Sequence, residues 1–124
     1  MFELTIKDHF AAAHFLRCYN GPCAEMHGHN YGVQVAVQCN EVNEIGLTLD
    51  FRLLKNHLKD VLDQLDHTTL NQHPEFREAA NNPSAENIAR FIFRELKQKL
   101  SSAGVSVSKV TVNESESSSV TYWE

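Results

Sequence analysis

The chain has 124 residues, a formal net charge of -5 and a hydrophobic fraction of 42%, values typical of one soluble globular domain rather than of a disordered or membrane-spanning chain. It has no run of basic residues, which argues against a nucleic-acid-binding protein. Three cysteines without a visible export signal predict free thiols and a cytoplasmic location. We therefore expect a single domain over residues 1–124.

The first half of the chain is predicted to contain two half-buried β-strands. Apolar and polar residues alternate in FELTIKDHFAAAH (2–14) and again in YGVQVAVQC (31–39), which is the pattern of a strand with one buried face. The segment 39–46 is rich in turn residues, and LTLD at 47–50 is predicted to resume an extended conformation.

Two amphipathic helices are predicted next. The first begins at Phe51, after Asp50 as its N-cap, and ends near Leu65. The second follows Ser84, which is the predicted N-cap, and places lysines in its last turn.

The segments GVSVSKVTVNES (104–115) and SVTYWE (119–124) are predicted to form a closing pair of strands. The resulting order ββααββ predicts an α+β fold, in which an antiparallel four-stranded sheet carries both helices on one face. Such a sheet leaves exposed edges, and closing it into a β-barrel with neighbouring copies would cover them.

Histidines at the strand ends indicate a metal site. His27 and His29 flank Gly28 at the head of the second strand, so their side chains project from the same face. His14 has the inward parity of the first strand and would approach them if the two strands pair antiparallel. Three imidazole nitrogens with a fourth position open are typical of catalytic zinc.

Two other interpretations of these histidines remain open. They could be half-buried strand-end residues whose rings bond to backbone carbonyls. Alternatively Cys23, four residues before His27, could close the coordination shell and make the site structural. The loop CYNGPCAEMHGH lacks the tight spacing typical of structural zinc sites, which favours the open site.

Three acid–base residues lie elsewhere in the chain. Asp66 and His67 come where the first helical pattern ends, and they could form a proton-shuttling pair or only cap the helix. Glu114 shares the parity of the valines before it, so it either points into a cleft and needs partners or is solvated beyond the strand end. His9 and His73 are predicted to be solvated.

Several motifs of the sequence resemble one family, that of 6-pyruvoyl tetrahydropterin synthase and 6-carboxytetrahydropterin synthase. The motifs are F-x-A-A-H, C-x-x-x-H-G-H-x-Y, L-D-F-x-x-L-K, L-D-H and P-[ST]-x-E-N, and together they cover nearly the whole chain. The three residues between Cys23 and His27 resemble the 6-carboxytetrahydropterin synthases in particular, because the pyruvoyl enzymes usually have a longer insertion there.

The resemblance implies a role for each matching residue. The zinc ligands would be His14, His27 and His29. The catalytic residues would be Cys23, Asp66 and His67. Glu114 would anchor the pterin ring, and Glu86 would contact it as well, although Ala85 stands where the family commonly has a hydroxyl residue.

The implied enzyme is a zinc-dependent lyase of queuosine (7-deazaguanine) biosynthesis. It would convert 7,8-dihydroneopterin triphosphate into 6-carboxy-5,6,7,8-tetrahydropterin, with release of acetaldehyde and triphosphate. The family's tunnelling fold assembles trimers into homohexamers with active sites between subunits, and Lys7 or Arg17 could meet the triphosphate. The alternatives are a 6-pyruvoyl tetrahydropterin synthase and a non-catalytic zinc-binding module.

Overall fold

A computed structural model describes all residues from 1 to 124. It contains five strands and two α-helices: β1 (Phe2–His14), β2 (His27–Cys39), α1 (Phe51–Asp63), β3 (Thr68–Thr69), α2 (Ala85–Lys99), β4 (Ser106–Ser115) and β5 (Ser118–Tyr122). Three single-turn 3₁₀ helices lie at Pro22–Ala24, Leu70–Gln72 and Pro74–Phe76. The α+β class is as predicted.

The strands form one mixed sheet in the order β3-β1-β2-β4-β5. Strand β1 pairs antiparallel with β2 along its whole length, from Phe2 opposite Cys39 to His14 opposite His27. Strand β3 runs parallel to the end of β1, with Thr68 opposite Ala12. The prediction of four antiparallel strands is therefore wrong, because a two-residue strand is too short to produce an alternating pattern.

The predicted extended segment at 47–50 is also wrong, because the chain turns there instead. The side chain of Asn43 accepts hydrogen bonds from the N–H groups of Ile45 and Leu47, both at 3.0 Å. Gly46 takes a positive φ of 83°, a conformation that favours glycine. These contacts close a compact loop that leads directly into α1.

Both helices begin at the predicted caps. The carboxylate of Asp50 accepts the N–H of Arg52 at 2.8 Å, and the hydroxyl of Ser84 accepts the N–H of Asn87 at 3.2 Å. Each cap satisfies a backbone donor that the first helical turn leaves free, worth about 1 kcal/mol. Neither α-helix is long and apolar enough to cross a membrane.

The core lies between one face of the sheet and both helices, as predicted. Alternate residues of β1 and β2 are buried there, including Phe10, Tyr31 and Val33. They form one apolar cluster with α1 and α2 residues such as Leu58 and Ile92. Burial of each large side chain contributes roughly 1.5–3 kcal/mol. Period-two alternation thus fixes which residues of β1 and β2 face the helices.

The other face of the sheet carries no helix and is called the open face below. On β1 and β2 its residues are mostly polar or small: Glu3, Thr5, Lys7, His9, Ala11, Ala13, Gly28, Asn30, Gly32, Gln34 and Gln38. His9 is 86% exposed there, which confirms its predicted outward orientation.

Candidate metal centre and active site

Four side chains meet where β1 ends and β2 begins. One donor atom each from His14, His27, His29 and Glu114 lies within 4.8 Å of the other three. The strand parity brings the three histidines together as expected, since His14 is paired with His27 across β1 and β2. This group is able to hold a metal ion.

The ring protons of His14 and His27 have defined positions. Nδ1 of His14 lies 2.6 Å from the carbonyl oxygen of Pro83, and Nδ1 of His27 lies 2.6 Å from that of Glu25. A carbonyl accepts only, so each Nδ1 carries the proton that it donates. In the neutral rings both Nε2 atoms then present lone pairs, which is the arrangement of a metal-ligating histidine with an outer-shell acceptor.

Those two lone pairs face each other. Nε2 of His14 and Nε2 of His27 are 3.1 Å apart, and with no proton on either atom the contact is repulsive unless a cation lies between them. For donors at about 2.0–2.1 Å from zinc, adjacent ligands of a tetrahedron are about 3.3 Å apart. The observed separation therefore fits a shared metal ion.

Burial keeps His14 in the neutral form that a ligand requires. The side chain is almost completely buried, and desolvation lowers the pKa of His14 below its ordinary value, with the Pro83 carbonyl acting in the opposite direction. A protonated imidazole has no lone pair left to bind a metal. The site thus favours metal binding at His14 near neutral pH.

Nε2 of His29 is buried and has no hydrogen-bond partner. The carboxylate oxygen Oε1 of Glu114 lies 3.1 Å from it, but the two atoms do not have hydrogen-bond geometry. A buried nitrogen without a partner is costly. A metal ion would satisfy it, so this atom is a second indication that the group is a metal site.

The chain after His14 is held by two asparagines. Asn71 exchanges two hydrogen bonds with the backbone of Phe15, at 3.0 and 2.9 Å, and Asn82 does the same with Arg17, at 2.9 Å each. The sequence analysis missed both residues, because single amides in a loop carry no periodic signal. Their hydrogen bonds fix the end of β1 and hence His14.

Arg17, a candidate triphosphate ligand, makes its hydrogen bonds within the fold. Its guanidinium donates to the carbonyls of Phe76 at 2.8 Å and Asn71 at 3.2 Å. Lys7 instead lies exposed on the open face. Of the two candidates, Lys7 is the one whose charge is free for a ligand.

Cys23 lies in the 3₁₀ turn Pro22–Ala24 and is half-buried. Its carbonyl accepts the N–H of Leu16 at 2.8 Å, which fastens this loop to the chain that follows β1. The thiol is not among the donors of the metal group. The structure therefore does not favour the alternative in which Cys23 closes the coordination shell.

Tyr31 forms part of the wall of the site, a role that the sequence analysis missed. Its ring stacks on Phe10 at 4.7 Å between centroids and meets the His29 ring edge-on at 5.3 Å. The hydroxyl is buried without a hydrogen-bond partner. Burial raises the pKa of Tyr31, and the charges of Glu114 and Cys23 raise it further.

Asp66 and His67 form a pair at the edge of β1. Oδ2 of Asp66 lies 3.0 Å from Nδ1 of His67, while Oδ1 accepts the N–H of Ala11 at 2.9 Å. That backbone hydrogen bond is the main cause that lowers the pKa of Asp66, and the contact with His67 adds to it. The carboxylate is thus fixed in place and orients the imidazole.

The pair is not bonded to the metal group. His67 is 83% exposed and lines one cleft with the open-face residues Ala11, Ala13 and Gly28 and with His29, whereas His14 faces the helices. Its φ of 57° is unusual for a non-glycine residue, and such strain concentrates at functional sites. Within one chain, no hydrogen bond or ion pair joins Asp66 or His67 to the three histidines.

Glu86 lies in the first turn of α2 and is exposed. Neighbouring Ala85 is buried against the core. The nearest residue that supports the metal group is Pro83, which precedes α2 and accepts the Nδ1 proton of His14 at its carbonyl.

Comparison with known proteins identifies the family of the chain. A family model described as 6-pyruvoyl tetrahydropterin synthase matches residues 3–124. The chain belongs to the 6-pyruvoyl tetrahydropterin synthase family. It is therefore an enzyme of a family that acts on pterins, as the motifs predicted.

Individual members of the 6-pyruvoyl tetrahydropterin synthase family resemble the chain over most of its length. A putative 6-carboxy-5,6,7,8-tetrahydropterin synthase of Archaeoglobus fulgidus is 37% identical over 91% of this chain and 88% of its own. The 6-carboxy-5,6,7,8-tetrahydropterin synthase of Bacillus subtilis is 37% identical over 74% of this chain and 63% of its own length. The solved structure of 6-pyruvoyl tetrahydropterin synthase from Caenorhabditis elegans superposes with a TM-score of 0.86, at 30% identity over 99% of this chain and 95% of that one.

Proposed function

We propose that the protein is a zinc-dependent 6-carboxy-5,6,7,8-tetrahydropterin synthase of queuosine (7-deazaguanine) biosynthesis. The observation that carries this proposal is the group of three imidazoles whose Nε2 atoms converge while two Nδ1 atoms are held by carbonyls. Relatives named 6-carboxy-5,6,7,8-tetrahydropterin synthase support the choice of product. The substrate would be 7,8-dihydroneopterin triphosphate, which loses triphosphate and acetaldehyde.

Zinc suits this donor set, because neutral imidazoles are among its preferred ligands. His14, His27 and His29 would hold it, and the bound ion would supply a Lewis acid that acidifies the hydroxyls of the substrate side chain. The outer-shell carbonyls of Pro83 and Glu25 would keep two of the rings oriented.

Proton transfer would be carried out by the residues that match the catalytic positions of the family motifs. The half-buried Cys23 thiol would act on one face of the substrate. The Asp66–His67 pair would act on the other face, with the fixed carboxylate holding the ring and stabilising its charged form.

Substrate binding would involve two carboxylates and a neighbouring subunit. Glu114 would accept hydrogen bonds from the amino group and ring N–H of the pterin, a charge-assisted contact. Glu86 would add a contact from the exposed first turn of α2. We further propose a trimer or hexamer with active sites between subunits, in which exposed His67 serves a neighbouring copy.

A product assay tests this function. The purified protein is incubated with 7,8-dihydroneopterin triphosphate, with and without a chelator, and the pterin products are analysed by mass. We expect 6-carboxytetrahydropterin and acetaldehyde without the chelator, and neither with it. Unchanged substrate in the zinc-loaded protein would contradict the proposal and favour a non-catalytic metal-binding module.

A second candidate is 6-pyruvoyl tetrahydropterin synthase itself. The family model and the C. elegans structure, both named for that enzyme, favour it. It would eliminate triphosphate and keep the whole side chain, so acetaldehyde would be absent and the pterin product heavier. The same mass measurement separates the two candidates.

A further inference from the structure

We propose that Glu114 is a fourth ligand that closes the metal site in the substrate-free protein, and that it leaves the metal when substrate binds. The second half rests on the proposed function, which supplies the pterin as substrate. The first half rests on the geometry of the site alone.

The position of the Glu114 carboxylate is the primary evidence. Its ligand oxygen lies within 4.8 Å of all three imidazole nitrogens and 3.1 Å from Nε2 of His29. Nε2 of His14 and Nε2 of His27 are separated by the same 3.1 Å. Both separations are close to the ~3.3 Å between neighbouring ligands of tetrahedral zinc. The four donors thus lie close enough together to form one coordination shell.

A simple ion pair between His29 and Glu114 does not account for this contact. Nε2 of His29 has no hydrogen-bond partner, so an N–H on this atom would not point at the carboxylate oxygen only 3.1 Å away. Two donor atoms that approach closely without pointing at each other are expected when both point at a third atom. A metal ion is that third atom.

The backbone of β4 explains how Glu114 reaches the site. Asn113 pairs with Ser119 of β5 and Ser115 pairs with Ser118, so Glu114 is left without a partner at a register shift. A β-bulge of this kind bends the strand and re-aims a side chain, and bulges are common beside active sites. Glu114 also lies one residue beyond the last β2–β4 pair, Gly32 with Asn113. Because Val112 pairs with Val33 of β2, Glu114 lies on the face of β2 that carries His29, and the bulge leaves it free of a β5 partner.

The consequence is a site that is shut until substrate arrives. A carboxylate oxygen that ligates the metal fills the position that the substrate hydroxyls need. The same carboxylate is the proposed anchor of the pterin ring, so ring and metal compete for it. Binding of the ring would withdraw Glu114 and open the fourth position for the side chain of the same molecule.

The test uses cobalt(II) in place of zinc and azide as a small probe anion. Visible absorption of the cobalt-loaded protein reports any azide that enters the coordination shell. We expect no azide complex in the wild-type protein and a clear one in Glu114→Ala. We also expect Glu114→Ala to bind zinc at least about tenfold more weakly, since even an outer-shell partner is worth about 10- to 100-fold. Glu114→Gln keeps the shape of the side chain, so its zinc affinity and its azide binding should lie between those of the wild type and Glu114→Ala.

The matched control is Glu116→Ala, because Glu116 is an exposed carboxylate two residues away. It should leave zinc affinity and azide exclusion unchanged. Circular dichroism of each variant establishes that it is folded. Equal azide binding in the wild type and Glu114→Ala would overturn the inference, whether or not the wild type forms the tetrahydropterin product.

Displacement of Glu114 is tested with 6-methylpterin, whose side chain has no hydroxyl to bind a metal. Adding it to the wild-type cobalt protein should admit azide, because the ring withdraws the carboxylate. In Glu114→Ala it should not change azide affinity. If the wild type continues to exclude azide with 6-methylpterin bound, Glu114 is not the group that the ring displaces. A failed product assay with azide exclusion intact would instead refute only the proposed function.

Discussion

The Nε2 atoms of His14 and His27 lie 3.1 Å apart, although the Nδ1–H of each ring donates to a backbone carbonyl and leaves no second ring proton in the neutral form. When neither Nε2 carries a proton their lone pairs oppose each other, and a bound metal ion removes that repulsion. Because the ion binds only the folded chain, it stabilises the fold, by about 4 kcal/mol when the free metal is 1,000 times Kd. We expect a chelator to lower Tm by on the order of 10 °C.

Thermal unfolding with and without the chelator measures this effect, and restoring zinc should reverse it. His27→Ala should unfold at the same temperature under both conditions. His9→Ala is the matched control, because His9 is exposed on the open face and should respond like the wild type. A wild-type Tm that is the same with and without the chelator would contradict metal binding at the three histidines.

The convergence of the three histidines could be predicted because it depends on strand periodicity alone. Residues i and i+2 share a face, and β1 and β2 form a hairpin in which His14 is opposite His27. The three imidazoles, together with the family motifs, then led to the prediction of zinc. The short parallel strand β3 could not be predicted, because two residues produce no pattern.

The parts of the site that the sequence did not reveal depend on backbone details. Parity with the valines of β4 places Glu114 on the face of the histidines, but the bulge that leaves it without a β5 partner has no sequence pattern. Pro83 contributes only a carbonyl, and Asn71 only an amide in a loop. Such contacts follow from tertiary placement rather than from local composition.

Cys23 is expected to act in proton transfer rather than in metal binding. Cys23→Ala should lower turnover by about 10²- to 10⁴-fold, the usual contribution of a general acid or base, and should retain zinc. Cys39→Ala is the control, because this half-buried thiol only donates to the Glu41 carbonyl at 3.2 Å. Turnover and zinc content are measured on the same samples. Loss of zinc from Cys23→Ala would assign the thiol to the metal instead.

His67 is expected to serve the active site of a neighbouring subunit. His67→Ala should lose turnover and keep zinc, because the ion pair of its ring is with Asp66 and it has no hydrogen bond to the three histidines of its own chain. If sites combine residues of two subunits, mixing inactive Cys23→Ala and His67→Ala subunits should restore part of the activity. We would measure turnover after the two variants are dissociated and reassembled together. If the mixed assemblies have no activity, Cys23 and His67 serve the same site from one chain.

His73 should make stability depend on pH, contrary to its predicted solvated position. Desolvation lowers the pKa of this half-buried ring, whose Nδ1 accepts the N–H of Glu75 at 3.1 Å. The unfolded chain therefore binds the proton more tightly, so His73 gives its full stability above its ordinary pKa of about 6.5 and loses it as the pH falls below that value.

The comparison for His73 is His73→Asn, which keeps a side-chain acceptor for the Glu75 N–H but does not titrate. Urea unfolding of both proteins at pH 8 and pH 5.5, in the presence of chelator, gives the two free-energy differences. We expect the variant to lose less stability than the wild type on acidification. Equal losses would exclude His73 as a titrating group of the fold.

Tyr31 is expected to cost the substrate-free protein some stability. Its hydroxyl is fully buried without a hydrogen-bond partner, and an unsatisfied polar group of this kind costs about 1–3 kcal/mol. Tyr31→Phe removes the hydroxyl and keeps the ring that stacks on Phe10, so the free energy of unfolding should rise by up to ~1 kcal/mol. The control is Tyr122→Phe, whose hydroxyl donates to Glu124 at 3.0 Å and whose loss should slightly lower stability. Urea unfolding compares both variants with the wild type, and a destabilised Tyr31→Phe would mean that the buried hydroxyl does have a partner in the folded protein.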